Sequence, residues 1–244
     1  MNNHFNNADF VTAAFLFFAT ILMYNLDRLF GDEWPLIKTY FQALTKKNSE
    51  FVKSHAKVTF QLVFALPALA LFLFIPNAQK ITLIVPAFVA FLYALPIGSG
   101  QLRLRELPFA KIFSIAFVWA WLGAFLCTPV GEITFNNSIL FVDRFLLIYA
   151  ITIPFDLRDM VVDEQKSLAT IPIKMGVRKS LSSAVIAFLL MLFSLWFVNE
   201  GLLRIGVVVV SMLLVLSWTK ERTWPYYLFL IDGCIILDSL AILL

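Results

Sequence analysis

Three aspartates in one short segment are spaced so that they could act together. Asp156, Asp159 and Asp163 stand at positions i, i+3 and i+7, and at about 100° per residue of helix they fall within roughly 60° of one another. Three like charges this close repel each other, and a bound cation would remove the repulsion. Because the candidate ligands are all oxygens, with no His or Cys beside them, the pattern favours a hard ion such as Mg²⁺. The alternative is a solvated helix end whose acids pair with Arg158 and Lys166.

A second acidic group follows the first apolar run of the chain. Asn25 and Asp32 share a helix face with Arg28, whereas Asp27 points elsewhere unless the helix ends or bends before Gly31. A simple ion pair between Arg28 and Asp32 is the alternative to a functional role. The first and fifth predicted helices run in the same direction, so both acidic groups emerge on the same side of a membrane. They could converge on one site.

Eight apolar runs must position these groups. Of the 244 residues, 61% are apolar and only 14% are charged, which is too little charge to cover a soluble domain. A helix needs roughly 20 apolar residues to cross a bilayer. No linker divides the chain, so the sequence predicts one domain, 1–244, that is an all-α, polytopic transmembrane bundle of about eight helices. The predicted spans are 10–29, 58–75, 81–96, 112–128, 139–155, 181–198, 202–218 and 224–244.

The distribution of Lys and Arg predicts which way the bundle faces. If eight helices alternate in direction, all but three of the 19 basic residues fall on the side that carries both acidic groups, the exceptions being Lys80, Arg144 and Arg204. Lys and Arg accumulate on cytoplasmic loops. We therefore expect an integral membrane protein, of the inner membrane if the source is bacterial, with the acidic groups at the cytoplasmic face and both termini outside.

Several other chemistries find no support in the sequence. The formal net charge of +3 does not point to nucleic acid as a partner. Cys127 and Cys234 lie in or beside apolar runs without metal-ligand spacing, so we expect buried structural thiols. His4 and His55 stand alone, and neither a Gly-rich phosphate loop nor a Ser-His-Asp pattern occurs.

Two aspartates fall inside the last predicted span. An ionised Asp at bilayer depth costs roughly 2.5–3.5 kcal/mol, so Asp232 and Asp238 must each find a partner, stay protonated or line a polar cavity. Arg204, at the outer end of the seventh run, is the expected partner of Asp238. Asp232 is expected to border a cavity, because it lies about 12 Å along the helix from the cytoplasmic end.

The acidic segment resembles the second aspartate motif of the UbiA-type membrane prenyltransferases. Asp156, Asp159 and Asp163 are followed by Thr170, Pro172 and Gly176, which match the Thr-x-Pro-x-x-x-Gly tail of that motif. The first motif, usually Asn-Asp-x-x-Asp-x-x-x-Asp, is represented only partly, by Asn25, Asp27 and Asp32, with Met23 and Tyr24 where the leading Asn-Asp would be. The family usually has nine helices, with the first motif after the second. Since the motif here follows the first run, the leading helix is expected to be absent, and the chain resembles a divergent member.

The resemblance implies a specific reaction. Such enzymes transfer an isoprenyl group from an isoprenyl diphosphate to a lipid-soluble acceptor, such as an aromatic or quinone precursor, with Mg²⁺ held by the two motifs. The implied metal ligands are Asp27, Asp32, Asp156, Asp159 and Asp163, and all of these except Asp32 are also the implied catalytic residues. The implied substrate-binding residues are Tyr24, Asn25, Tyr93, Arg103, Lys111 and Lys174.

A different class of function stays open beside the enzyme. A non-catalytic relative or a transporter could bind a polyprenyl phosphate or another anion. A transporter needs polar groups along a path through the membrane, for which Asp232 and Asp238 are the candidates. The concentration of polar residues on one face favours chemistry at that face instead.

Overall fold

The computed structural model describes residues 7–31, 63–95, 103–126, 128, 132–198 and 201–243. In these ranges the regular structure is entirely helical, with eight α-helices and no strand, as the sequence predicts. The chain divides into two compact units, residues 1–103 and 104–244.

Three of the eight described helices belong to the first unit. These are α1 (Asn7–Gly31), α2 (Val63–Phe74) and α3 (Asn77–Ala94). α1 packs against α3, where the Thr12 hydroxyl donates a 2.6 Å hydrogen bond to Oε1 of Gln79. Aromatic contacts join α1 to α2, with ring centroids 5.7 Å apart for Phe15 and Phe72. The described helices of this unit therefore associate through ring packing and through the hydrogen bond between Thr12 and Gln79.

The second unit contains the remaining five helices. They are α4 (Ala110–Phe125), α5 (Phe135–Gln165), α6 (Ile171–Val198), α7 (Leu202–Leu216) and α8 (Gly233–Leu243). A single 3₁₀ turn, Leu104–Glu106, precedes α4, and a π-helical turn, Tyr226–Ile231, leads into α8. α5 is central, because it packs along α4 and α6 and also contacts α7 and α8.

Small residues let the helices of the second unit approach one another. Ala116 and Ala120 on α4, Ala150 on α5, and Ala184 and Ala187 on α6 are all buried. Lipid tails are as apolar as Leu, so helices in a membrane associate through close packing and polar contacts rather than through hydrophobic burial. Alanines at these positions permit that packing, and larger apolar side chains such as Leu147 and Phe188 fill the core beside them.

The length of α5 explains how it carries polar groups at both ends. At about 1.5 Å per residue, its 31 residues extend roughly 46 Å, more than the roughly 30 Å of bilayer hydrocarbon. Its N-terminus is capped by Thr134, whose backbone N–H and hydroxyl both donate to Oδ1 of Asn137. The predicted span ends at Phe155, but the helix continues ten residues further and carries the acidic segment on its last turns.

α6 is interrupted near its start. Gly176 has φ +79° and ψ 165°, which separates one short turn, starting at Ile171, from the long part of the helix. L-residues rarely adopt a positive φ of this kind, whereas glycine does so without a steric penalty. The Ser180 hydroxyl donates a 2.8 Å bond to the Gly176 carbonyl and so begins the long part. The glycine of the predicted motif tail thus has a definite backbone role.

Among the described residues, three helices are long and apolar enough to cross a membrane, judged by length and composition. They are α3, α5 and the stretch Ile171–Trp196 of α6. Shorter apolar stretches occur at Phe10–Met23, Val63–Phe74, Ala110–Phe125 and Leu202–Leu216. Many large apolar side chains are exposed, Trp196 at 81% and Leu202 at 86% among them. The chain is therefore an integral membrane protein.

Candidate functional site

Lys111 joins two aspartates of the acidic segment. Its Nζ lies 2.9 Å from Oδ1 of Asp156 and donates a 2.8 Å hydrogen bond to Oδ2 of Asp163. The carboxylates are two helical turns apart on one face of α5, and both residues are buried, at 1% and 5% exposure. The ammonium group comes from the neighbouring helix α4. We call these three residues the lysine–aspartate cluster.

The loop after α5 holds the start of α4 in place beside the cluster. The Leu168 N–H donates to the Asp163 carbonyl at 2.9 Å, with Ser167 in a left-handed conformation. One residue further, the Ala169 carbonyl accepts a 3.0 Å hydrogen bond from Phe109 N–H. Phe109 is also left-handed, with φ 64°, and directly precedes α4. These bonds place Lys111 opposite the last turns of α5.

Asp159 is held by a different cation. Arg158 Nε donates to its Oδ1 at 2.7 Å and the Arg158 terminal nitrogen to its Oδ2 at 2.9 Å, a bidentate geometry. The guanidinium carbon of Arg158 also lies 4.9–5.4 Å from three ring centroids, those of Phe155, Trp224 and Tyr227. Such cation–π contacts fix the plane of the guanidinium, and with it the carboxylate of Asp159.

The three acids of the segment do not gather into a metal site as they stand. In the ranges that the structure covers, no group of three or more Asp, Glu, His or Cys side chains is close enough to hold an ion. The alternative expectation of acids paired with basic residues is confirmed for Asp159 with Arg158. For Asp156 and Asp163 the pairing residue is Lys111 instead.

Two buried oxygens of the motif are left without a hydrogen bond. Oδ2 of Asp156 and the hydroxyl of Thr170 have no partner among the described residues, although both residues are at most 2% exposed. A buried acceptor without a partner costs about 1–3 kcal/mol. Oxygen donors of this kind suit a hard cation or its bound water. The donor set of the motif is thus compatible with Mg²⁺, while Lys111 uses one oxygen of each acid.

The other predicted site residues stand on other elements of the chain. Lys174 is exposed on the first turn of α6, where its N–H donates to the Thr170 carbonyl. Tyr93 is half-buried near the end of α3, and Arg103 directly precedes the 3₁₀ turn. Tyr24, Asn25 and Asp27 stand on the last turns of α1, but their side chains, and Asp32 altogether, lie outside the described residues.

A second polar cluster is buried between α5, α7 and α8. Arg144 Nη1 forms an ion pair with Oδ2 of Asp238 at 2.7 Å, and Arg204 Nε donates a hydrogen bond to its Oδ1 at 3.2 Å, which confirms the predicted pairing of Arg204 with Asp238. Arg204 also lies 3.6 Å from Asp143, whose other oxygen accepts a hydrogen bond from Ser194 of α6. None of the four charged residues is more than 9% exposed. We call these four the arginine–aspartate network.

Sequence reasoning missed half of this network. The sequence does not predict a role for Asp143 and assigns Arg144 to the outer face, yet the Arg144 side chain lies within the bundle. The signal in the sequence is the adjacent pair of opposite charges, Asp143 and Arg144, inside an apolar run. Membrane helices bury charges only when the charges are paired or functional. Along α5, about 1.5 Å per residue separates Asp143 from Asp156 by roughly 20 Å, so the two clusters lie at different depths.

Comparison with known proteins gives one informative likeness. The fold is similar to a solved structure described as digeranylgeranylglyceryl phosphate synthase in membranes, with a TM-score of 0.53 and 18% sequence identity. The aligned region covers 97% of this chain and 83% of that one. No protein-family model and no curated protein matches the chain. The likeness concerns the fold alone, and it agrees with the predicted all-α bundle of transmembrane helices.

Proposed function

We propose that this chain transfers an isoprenyl group from an isoprenyl diphosphate to a lipid-soluble acceptor in the membrane. The observation that carries the proposal is the lysine–aspartate cluster, which is buried at the end of a membrane-spanning helix. The fold adds support, since the similar structure is named as a synthase of a lipid that carries geranylgeranyl groups.

The proposed reaction needs positive charge at the diphosphate. The bond between C1 of the isoprenyl group and the diphosphate oxygen breaks, and the diphosphate leaves with the electron pair. A nucleophilic atom of the acceptor bonds to C1 and loses a proton to water. Basic side chains stabilise the leaving anion in such a step. Lys111 and the exposed Lys174 of α6 are the candidates that the second unit offers.

Magnesium is part of this proposal. Asp156 and Asp163 would hold it, with Asp159 beside them on α5 and with Asp27 and Asp32 as the predicted ligands of the first motif. The ion, when bound, supplies Lewis-acid stabilisation of the diphosphate charge. The role of the chain is to place carboxylate oxygens within a buried environment, where Oδ2 of Asp156 still lacks a partner.

Substrate binding and turnover by purified protein test the proposal. A fluorescent isoprenyl diphosphate is titrated into the protein in lipid nanodiscs, with and without Mg²⁺, and release of diphosphate is followed after lipid acceptors are added. We expect saturable binding that needs Mg²⁺ and is lost in Asp156→Asn. Glu132→Gln is the matched control, because Glu132 is exposed just before the opposite end of α5. A folded protein that binds no isoprenyl diphosphate of any chain length would overturn the proposal.

The arginine–aspartate network bears on the alternative of a transporter. Asp238, one of the two acids expected along a polar path, is ion-paired with Arg144 and Arg204, and the network as a whole has no net charge. A closed set of ion pairs suits a structural role better than passage of an anion. If the protein bound a polyprenyl phosphate but showed no turnover of isoprenyl diphosphate, that result would favour a non-catalytic binding protein over an enzyme.

A further inference from the structure

We propose that Lys111 is a resident counter-ion that Mg²⁺ replaces in the lysine–aspartate cluster. In the metal-free protein its ammonium group bridges Asp156 and Asp163. When the metal enters, the ammonium leaves both carboxylates and becomes available to a bound diphosphate. This inference rests on the proposed function, because it concerns the metal of that reaction.

The charge of the cluster favours exchange over joint occupancy. Two buried carboxylates carry a charge of −2, and one ammonium leaves −1 together with an unpartnered oxygen on Asp156. Residual charge in a buried site is costly unless it is compensated. A divalent ion in place of Lys111 would bring the cluster to neutrality. Both cations together would leave it at +1 and would compete for the same two oxygens.

The geometry shows that one cation can reach both acids. Oδ1 of Asp156 and Oδ2 of Asp163 both lie within hydrogen-bond distance of a single nitrogen. Asp156 and Asp163 would hold Mg²⁺ with the same carboxylate groups that hold the ammonium, and the ion would supply two positive charges there while keeping several of its waters. In this proposal the metal would therefore take the place that the Lys111 ammonium group occupies in the metal-free protein.

Lys111 is placed so that it can leave. Its side chain is 19% exposed and ends a flexible four-carbon stem, whereas the side chain of Asp156 is only 1% exposed. Lys111 is also the second residue of α4. The N-terminus of a helix carries partial positive charge and therefore disfavours a cation. The ammonium is held at this position by the two carboxylates and not by the helix dipole. Once the two carboxylates bind a metal, no other group of the lysine–aspartate cluster holds the ammonium of Lys111.

Metal binding without substrate tests the exchange. Mn²⁺, which electron paramagnetic resonance detects, is titrated into the full chain in nanodiscs as a probe of the Mg²⁺ site. We expect Lys111→Met to bind Mn²⁺ at least tenfold more tightly than the unaltered protein, because the competing ammonium is gone. The control Lys179→Met, at an exposed position of α6, should bind Mn²⁺ like the unaltered protein. The tighter site should disappear in Lys111→Met combined with Asp163→Asn. Unchanged or weaker binding by a folded Lys111→Met would overturn the proposal.

A measurement on the unaltered protein covers the case that Lys111→Met fails to fold. The rate at which an amine-directed reagent modifies Lys111 is followed by mass spectrometry, with Lys179 as the internal reference. Saturating Mg²⁺ should raise the rate at Lys111 severalfold and leave Lys179 unchanged. No increase at Lys111, or no binding of metal at all, would overturn the exchange. Since no isoprenyl substrate is present, metal exchange without any turnover in the substrate assay would count against the proposed function alone.

Discussion

The indole Nε1 of Trp218 donates a 3.0 Å hydrogen bond to the hydroxyl of Tyr227, whose ring lies under the guanidinium of Arg158. Tyr227 is 2% exposed and belongs to the π-helical turn before α8. The end of α7, the π-helical turn and the acidic segment of α5 are therefore connected through one aromatic ring. The orientation of Asp159 depends on that connection, because Arg158 is its bidentate partner.

Arg158→Lys tests that dependence. Lysine keeps the charge but cannot form the bidentate pair or stack a planar group on three rings. If the proposed reaction holds, we expect turnover of isoprenyl diphosphate to fall about tenfold, since a contact of this kind contributes about 1–2 kcal/mol. The measurement is steady-state diphosphate release in nanodiscs. Arg178→Lys, at an exposed position of α6, should retain full activity, and equal rates for both variants would contradict the prediction.

Asp238→Asn should destabilise the bundle strongly. It leaves two buried guanidinium groups without the carboxylate that both of them contact. Removal of one partner from a buried ion pair costs about 3–5 kcal/mol, which should lower the apparent Tm by several degrees. The measurement is thermal unfolding in detergent, followed by tryptophan fluorescence. Asp232→Asn is the control on the same segment, because Asp232 is exposed; a similar Tm for the two variants would refute a stabilising network.

Gly176→Ala should destabilise α6 through the backbone alone. A methyl group at this position meets no atom within 4 Å, but φ +79° with ψ 165° is a backbone region that essentially only glycine adopts, and it is strained for any L-residue by about 1–3 kcal/mol. Gly206→Ala on α7 is the matched control, since it also meets open space but has no positive φ. There alanine should stabilise the helix by about 0.5–1 kcal/mol. Opposite shifts in Tm are expected, and shifts of the same sign would contradict this account.

Cysteine labelling tests the predicted sidedness. Single cysteines are introduced at Glu132, just before α5, and at Gln165, its last residue, in a chain whose Cys127 is replaced by serine. A maleimide that cannot cross membranes should label Glu132→Cys in intact bacterial cells, and Gln165→Cys only after the cells are opened. The reverse pattern would place the acidic segment outside, and labelling of both in intact cells would show that α5 does not span the membrane.

Hydropathy predicted the eight helices but not the full length of α5. The apolar run ends at Phe155, whereas the helix continues to Gln165. Hydropathy measures transfer into lipid, so it marks where a helix leaves the hydrocarbon and not where its hydrogen bonds end. The acidic residues continue the helix because α4 supplies Lys111 to two of them.

Helical spacing predicted that the aspartates share one helix but not which cations they contact. The period of a helix orders residues within it, and it carries no information about a lysine that lies 52 positions away from Asp163 on another helix. For Asp238 the expected partner Arg204, at the outer end of the seventh apolar run, is confirmed. The sequence does not predict the additional partner Arg144, because the alternation of helix directions assigns this residue to the outer face.

The arginine–aspartate network constrains how the sequence of this protein can diverge. Its four charges come from α5, α7 and α8 and cancel as a set, so loss of any one leaves an uncompensated charge inside the bundle. Lineages that lose Asp238 should also have lost an arginine, through intermediates of low stability. We therefore expect these positions to be inherited together, or to be replaced together by apolar residues, while neighbouring lipid-facing positions vary independently.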